Sequence, residues 1–385
     1  MPRSSFTRRA ASSALVTLAL GIAMMLLGTR PASAIPIFAQ RYGLQCSACH
    51  SVLPELNQFG TEFRNHGYRI EGLPKHGTTY LGLREQLGYT RDPGPGAERF
   101  VPAGAILGAA EVGHVEAFLH ETLGSEGGPA SLFLGYLATY DPHSKTLFRL
   151  GLTELPLVHS PAQRLDTLEA YGYEGNRVGL NDLTLATPRW GLEAERNVGN
   201  ARIAATISVA NSSGSAYGGP PVVTGENAVF HRPEYGVFTR FPISNNLGVG
   251  LDLLNGSRSI TEVGRPMFND DYTRGGLWVE ATRGRLELLA EQYVGHDTNG
   301  DGLGDAINSR GGYARLRWAL GSHAYIGVRE DAAATPAETR ALEWYAEALV
   351  ARHFRVLIEQ RRPIPGGPTS LAGALTTAIP WPWGK

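Results

Sequence analysis

The chain of 385 residues sets 35 basic against 36 acidic side chains, is 42% hydrophobic and 18% charged, and contains 48 Gly, 15 Tyr and 13 Phe. The near-neutral balance argues against nucleic acid as a partner. The glycine-rich, aromatic composition excludes a disordered chain and suits a multi-stranded protein.

Arg3, Arg8 and Arg9 precede an apolar stretch from Ala14 to Leu27 and the small-residue pattern Ala32-Ser33-Ala34, the layout of an export signal. The apolar stretch is shorter than the about 20 residues a membrane helix needs. Residues 1–34 are therefore expected to be a cleaved signal peptide rather than an anchor. The pair Arg8-Arg9 lacks the rest of a twin-arginine pattern, so export unfolded, with any cofactor added outside the cytoplasm, fits better. Without the leader's four arginines the mature chain has 31 basic and 36 acidic residues, net −5, which is compatible with cations as partners. No later stretch reaches 18 consecutive apolar residues, so a membrane span must be built from strands.

Cys46-Ser47-Ala48-Cys49-His50 holds both cysteines of the chain in a CxxCH pentapeptide, the attachment signature of a c-type haem. In that chemistry Cys46 and Cys49 become thioethers on the haem vinyl groups, and His50 becomes the proximal iron ligand. A zinc site would need two more ligands at suitable spacing, and a redox disulfide would sit in a βαβ unit. Neither pattern is visible, and one covalent haem (heme c) is expected.

Val52, Leu56, Phe59 and Phe63 recur at spacings of four, three and four. They predict one apolar stripe of a helix that begins beside His50, tolerates Pro54 in its first turn and stops at Gly67. A unit of about 40 residues cannot bury enough apolar surface alone, so a haem would be its core. Residues 35–77 are accordingly expected to form a monohaem cytochrome c domain. After cleavage Met267 is the only methionine and lies far along the chain, so the sixth ligand is expected to be a second histidine. His66, at the end of the predicted helix, is the first candidate; His76 in the linker follows. His114, His120 and the other histidines would require this domain to dock against a strand.

From about Thr78 the chain reads as short alternating segments between Gly, Asn, Asp and Pro. Thr146, Phe148, Leu150 and Leu152 oppose Arg149; Ile203, Ala205, Ile207 and Val209 oppose Arg202, Thr206 and Ser208. Ala314, Leu316, Trp318 and Leu320 oppose Arg315 and Arg317. Ala346 to Ile358 reads as one such run, with Arg352 as a breach. Arginines and glutamates repeated along the second face suit a water-filled lumen better than a sandwich exterior. The expected fold is mainly β: a transmembrane antiparallel β-barrel of about 16 strands, over residues 78–362, behind a small α-helical haem domain. The last clear strand stops near Gln360. Residues 363–385, rich in Pro, Gly and Ala with Trp381 and Trp383 between prolines, are expected to be a C-terminal tail.

Asp297-Thr298-Asn299-Gly300-Asp301-Gly302-Leu303-Gly304-Asp305 sets oxygen ligands at alternate positions with Gly at the sixth, the pattern by which a tight turn wraps calcium. Asp297, Asn299, Asp301, the Leu303 carbonyl and Asp305 are candidate Ca2+ ligands. Asn308 stands where an EF-hand has its bidentate Glu, so this is not an EF-hand. A solvated Asp/Gly hairpin loop is the alternative.

The stretches Phe38-Ala39-Gln40-Arg41-Tyr42-Gly43-Leu44, Phe59-Gly60-Thr61-Glu62-Phe63 and Gly67-Tyr68 resemble the fused cytochrome-porins of bacterial outer membranes. The best known of these are the outer-membrane iron oxidases of iron-oxidising bacteria. A weaker similarity covers Phe148 to Leu165, around Glu154-Leu155-Pro156-Leu157. The resemblance implies a haem domain inside or at the mouth of an outer-membrane barrel, surrounded by outer-membrane lipid. It would carry electrons from an extracellular reductant, plausibly Fe(II), to a periplasmic electron-carrier cytochrome. A haem-bearing porin or transport channel, and a soluble periplasmic haem protein on a β-sandwich, are the other classes.

Overall fold

The computed structural model describes residues 37–380 except 54, 71, 74, 76, 78, 93–97, 126–130, 159–171, 212–228, 262–265 and 351–353. Sixteen antiparallel strands close into one barrel, each paired with its neighbours in sequence. Closure joins β1 (Thr79–Arg91) to β16 (Ser370–Pro380), with Leu87 opposite Leu375.

The period-two pattern explains both faces. In β7 (Ala201–Asn211) Ile203, Ile207 and Val209 are exposed while Ala204, Thr206 and Ser208 are buried. In β12 (Ile307–Ala319) Leu316 and Trp318 face out and Arg315 and Arg317 face in; in β5 (Thr146–Thr153) Phe148 and Leu150 face out and Arg149 in. The outward residues, among them Leu150 at 59% and Leu277 at 57% exposure, form the apolar belt of a barrel set in lipid. A closed barrel with that exterior overturns the soluble sandwich: the chain has the architecture of a Gram-negative outer-membrane protein.

Two-residue turns at 113–114, 199–200, 245–246 and 284–285 mark one end, while the long connections 154–188 and 212–228 leave the other. Short turns are periplasmic and long loops extracellular in such barrels.

Three expectations need correction. The predicted tail contains β16, and β15 (Phe354–Ile364) runs past Gln360; Pro363 is tolerated in the last residues of β15. The apparent single run from Ala346 to Ile358 includes the end of β14 (Glu338–Val350) and the start of β15, and the breach at Arg352 lies between them, outside the described residues. Finally, the described residues from His50 to Asn57 are not helical. The helix there is α3 (Gln58–Asn65), which follows α1 (Ile37–Tyr42) and α2 (Cys46–Cys49). Asn57 caps it, its side-chain oxygen accepting from Gly60 N at 2.9 Å, which fixes the start at Gln58, six residues after Val52, the first residue of the apolar stripe. Gly67 at φ +64° ends it as predicted.

The inward charges pair across strands instead of facing open water. Arg149 joins Glu193; Arg202 meets Glu195 at 2.5 Å, Arg189 meets Glu234 at 2.5 Å and Arg329 meets Glu343 at 2.7 Å. The lumen is filled from both ends. From the loop end, the described part of 154–188 enters with helix α4 (Gly172–Gly175). Leu155, Leu157, Tyr173 and Leu185 cluster there with Phe238, Leu254 and Tyr293 of the wall. Tyr173 stacks on Tyr293 at 5.5 Å and shares a 2.8 Å hydrogen bond with Ser309. From the turn end, α1 to α3 enter.

Ending the chain at Thr369 removes β16 and leaves β1 and β15 as open edges, which a bilayer does not tolerate. Heat-modifiable migration of the outer-membrane form should be lost. A truncated chain that kept it at wild-type yield would contradict the closure described here.

Candidate functional site

The N-terminal segment is a compact unit within the barrel mouth. Phe38 stacks on Tyr68 at 3.6 Å, and Tyr42, Cys49 and Phe63 form a buried cluster with Leu44, Ala48, Leu56, Tyr68 and Ile70 around its edge. The segment crosses the lumen and is fixed to two walls. On one side Arg41, fully buried, places Nη2 2.7 Å from both Glu116 oxygens on β3 (Val115–Ser125), while Phe38 packs on Phe118. On the other, Glu55 bonds Arg317 of β12, and His323 donates from Nδ1 to the Ser51 carbonyl at 3.0 Å. At the rim Arg69 reaches the Gly113 carbonyl at 3.3 Å and Lys75 meets Glu111 at 2.6 Å, placing the segment at the short-turn end.

Cys46 and Cys49 open and close the one-turn helix α2, both buried, neither in a disulfide. Burial pushes both thiols up to about 11. That is opposite to the lowered thiol a CxxC oxidoreductase requires. His50 follows directly, and its Nδ1 donates to the Glu55 carbonyl at 3.2 Å, so Nε2 is the ring nitrogen an iron would take. Two adjacent buried thiols, a histidine oriented through Nδ1 and an aromatic surround fit a c-type haem: Cys46 and Cys49 would hold it covalently and His50 would ligate its iron.

The close crossing of α3 over α2 depends on Gly60. A Cβ there would lie 2.1 Å from the Cys49 carbonyl oxygen. Asn57 completes the junction: its N donates to Cys49 O at 2.9 Å and its Nδ2 to Ala48 O at 3.0 Å.

His66, the first candidate for sixth ligand, is the exposed residue after α3. Its Nδ1 donates to Glu62 O at 2.7 Å and its ring lies 5.2 Å from Tyr140 of the wall. The structure thus turns its ring toward the barrel wall. His76 lies outside the described residues. His114 stays at the turn between β2 (Glu98–Val112) and β3 near Arg69, and Met267 is exposed in the connection between β9 (Leu247–Ile260) and β10 (Phe268–Arg283). His120 is buried on β3 against Phe133.

Of the five calcium candidates, Asp297, Asp301 and Asp305 are not grouped as a metal site. Asp297, wholly buried, faces the lumen and pairs with Arg274 at 2.7 Å. Asn299 Oδ1 accepts from Gly304 N at 2.7 Å, and Asp301 Oδ1 accepts from Leu303 N and Asp305 N at 2.8 and 3.1 Å. These oxygens close the loop on itself. Among the described residues no group of three or more His, Cys, Asp or Glu is placed to hold a metal ion.

Sequence reasoning missed the anchors. Arg41 stood in the quoted Phe38 to Leu44 stretch and Glu55 beside Pro54, but a lone charge carries no signal of a partner on a strand 75 or 262 residues away.

No protein-family model and no curated protein matches the chain. Solved structures with a similar fold are outer-membrane barrels. OmpF of Salmonella typhi, in complex with daunomycin, has a TM-score of 0.55 at 8% identity over 78% of this chain and 97% of that one. The anion-selective porin of Comamonas acidovorans has 0.53 at 10% identity over 79% and 99%. The outer membrane channel DcaP of Acinetobacter baumannii has 0.51 at 9% identity over 79% and 96%. The likeness is one of fold: a porin-like outer-membrane barrel.

Gly60→Ala should force α3 off α2 at a cost of about 1–3 kcal/mol and lower the haem content of the purified protein; unchanged content would remove the crossing from the site. His66→Ala should leave the Soret and α bands in place, whereas their displacement would make His66 the ligand after all.

Proposed function

We propose that the protein is a monohaem outer-membrane barrel that moves electrons from an external reductant, plausibly Fe(II), to a periplasmic cytochrome. The observation that carries this reading is the seating of the CxxCH segment: it is held inside the lumen by buried ion pairs to opposite walls, at the end that faces the periplasm. A covalently held haem supplies a one-electron centre at that place. The residues around it supply the rest. Cys46 and Cys49 attach the group, the Glu55 carbonyl orients His50, and the Phe38–Tyr68 stack with Tyr42 and Phe63 excludes water. No general base or nucleophile is called for, because outer-sphere transfer makes no bond to the donor. A donor must reach the centre past the 172–188 segment, which favours a small solute such as a metal ion. The acceptor needs only to dock at the turn end.

A transport channel is the second reading. The neighbours in fold include an anion-selective porin and an outer membrane channel, and the barrel has their architecture. The two readings part at the lumen, since an open channel requires a continuous water path and two seated segments oppose one.

Two measurements on the detergent-solubilised full-length protein separate them. Mixing the oxidised protein anaerobically with Fe(II) should raise the reduced α band promptly, and planar bilayers should show little current. A haem reduced by dithionite but not by Fe(II) would discard iron as donor; porin-sized currents would favour the channel.

A further inference from the structure

We propose that Glu55 and Arg317 are a positioning pair for the proximal histidine, through which the barrel wall sets the orientation of His50. The inference rests on the haem reading above. The turn from His50 to Leu56 closes on itself. His50 and Leu56 form a β-bridge, and the Glu55 carbonyl accepts from both His50 Nδ1 and Ser51 N, each at 3.2 Å. The oxygen that orients the ligand ring therefore belongs to the residue whose side chain leaves the segment for the wall.

That side chain enters a built socket. Arg317, 4% exposed, receives the Glu55 carboxylate on Nη1 while its Nε donates to Glu287 at 2.6 Å and its guanidinium lies 4.3 Å from the Tyr325 ring centroid. Glu347 stands 3.9 Å from Arg317 and 2.9 Å from Arg355, and Arg315 lies 4.0 Å from Glu55. Glu55 is the acid that the segment adds to this group of Arg315, Arg317, Arg355, Glu287 and Glu347. His323, holding the Ser51 carbonyl, fixes the same turn a second time.

A hydrogen bond on the non-ligating ring nitrogen fixes the tautomer and ring plane of a metal-bound histidine and raises its basicity. Such second-shell bonding is one of the levers on a haem's reduction potential. Breaking Glu55–Arg317 releases the turn at the residue that supplies this bond. Arg317 acts through Glu55 and is a positioning residue.

The test uses full-length protein in detergent and four variants: R317Q, E55Q, R317K and R69Q. Arg69 ties the segment to the rim at Gly113 and Glu111 without touching the 50–56 turn, so R69Q loosens docking alone. Haem content, the iron–histidine signature in resonance Raman or EPR, and the reduction midpoint are measured for each. R317Q and E55Q should retain haem while shifting the signature and the midpoint in the same direction. R317K should restore most of the shift and R69Q should match the wild type. Wild-type signatures in R317Q and E55Q, or an equal shift in R69Q, would overturn the positioning role. If R317Q fails to assemble, E55Q, which leaves the wall intact, decides. Wild-type protein without haem would instead overturn the haem reading.

Discussion

The structure depends on the neutralisation of charge inside the barrel. Strands that alternate apolar and charged residues can close in lipid only with the charged face inward. Once anything enters the lumen, those charges lose water and need partners. Removing one member of a buried pair costs about 3–5 kcal/mol, because the survivor stays buried and unpaired. Arg41 with Glu116 and Glu55 with Arg317 are two such pairs, each joining the N-terminal segment to the wall. The wall therefore specifies where the segment sits, and the segment completes the wall.

This reciprocity separates the protein from a barrel with a domain tethered beside it. The helices α1 to α3 are short, and their apolar cluster is small. Alone they would lack the buried area to stay folded. Inside the lumen they gain Phe118 and Tyr136 on one side and the Arg317 socket on the other. The connection 154–188 adds a packed apolar cluster from the opposite end. On the proposed reading, a haem held at Cys46 and Cys49 would lie toward the periplasmic rim.

Much of this was legible in the chain. The two-residue period placed Ile203, Ile207, Leu316 and Trp318 on the lipid face and Arg315 and Arg317 in the lumen, because side-chain direction in a strand is a local property. Helix α3 was read too early, since apolar spacing cannot see that Asn57 turns its side chain to cap Gly60. The last strand was missed because β16, mostly Ala, Leu and Thr, has no charged residue to mark an inner face. Asp297 was read as part of a local turn, yet its partner Arg274 is on the adjacent strand. His66, chosen for its nearness in sequence, has its ring beside Tyr140 of the wall.

The most direct measurement is the intact mass of the protein purified from outer membranes and denatured in the presence of a thiol-alkylating reagent. The account predicts a chain beginning at Ile35 that carries the mass of one haem and no alkyl group, since both Cys46 and Cys49 are thioethers. A haem-free chain alkylated at both cysteines would contradict it and leave a barrel whose lumen is closed by a segment with no electron to carry.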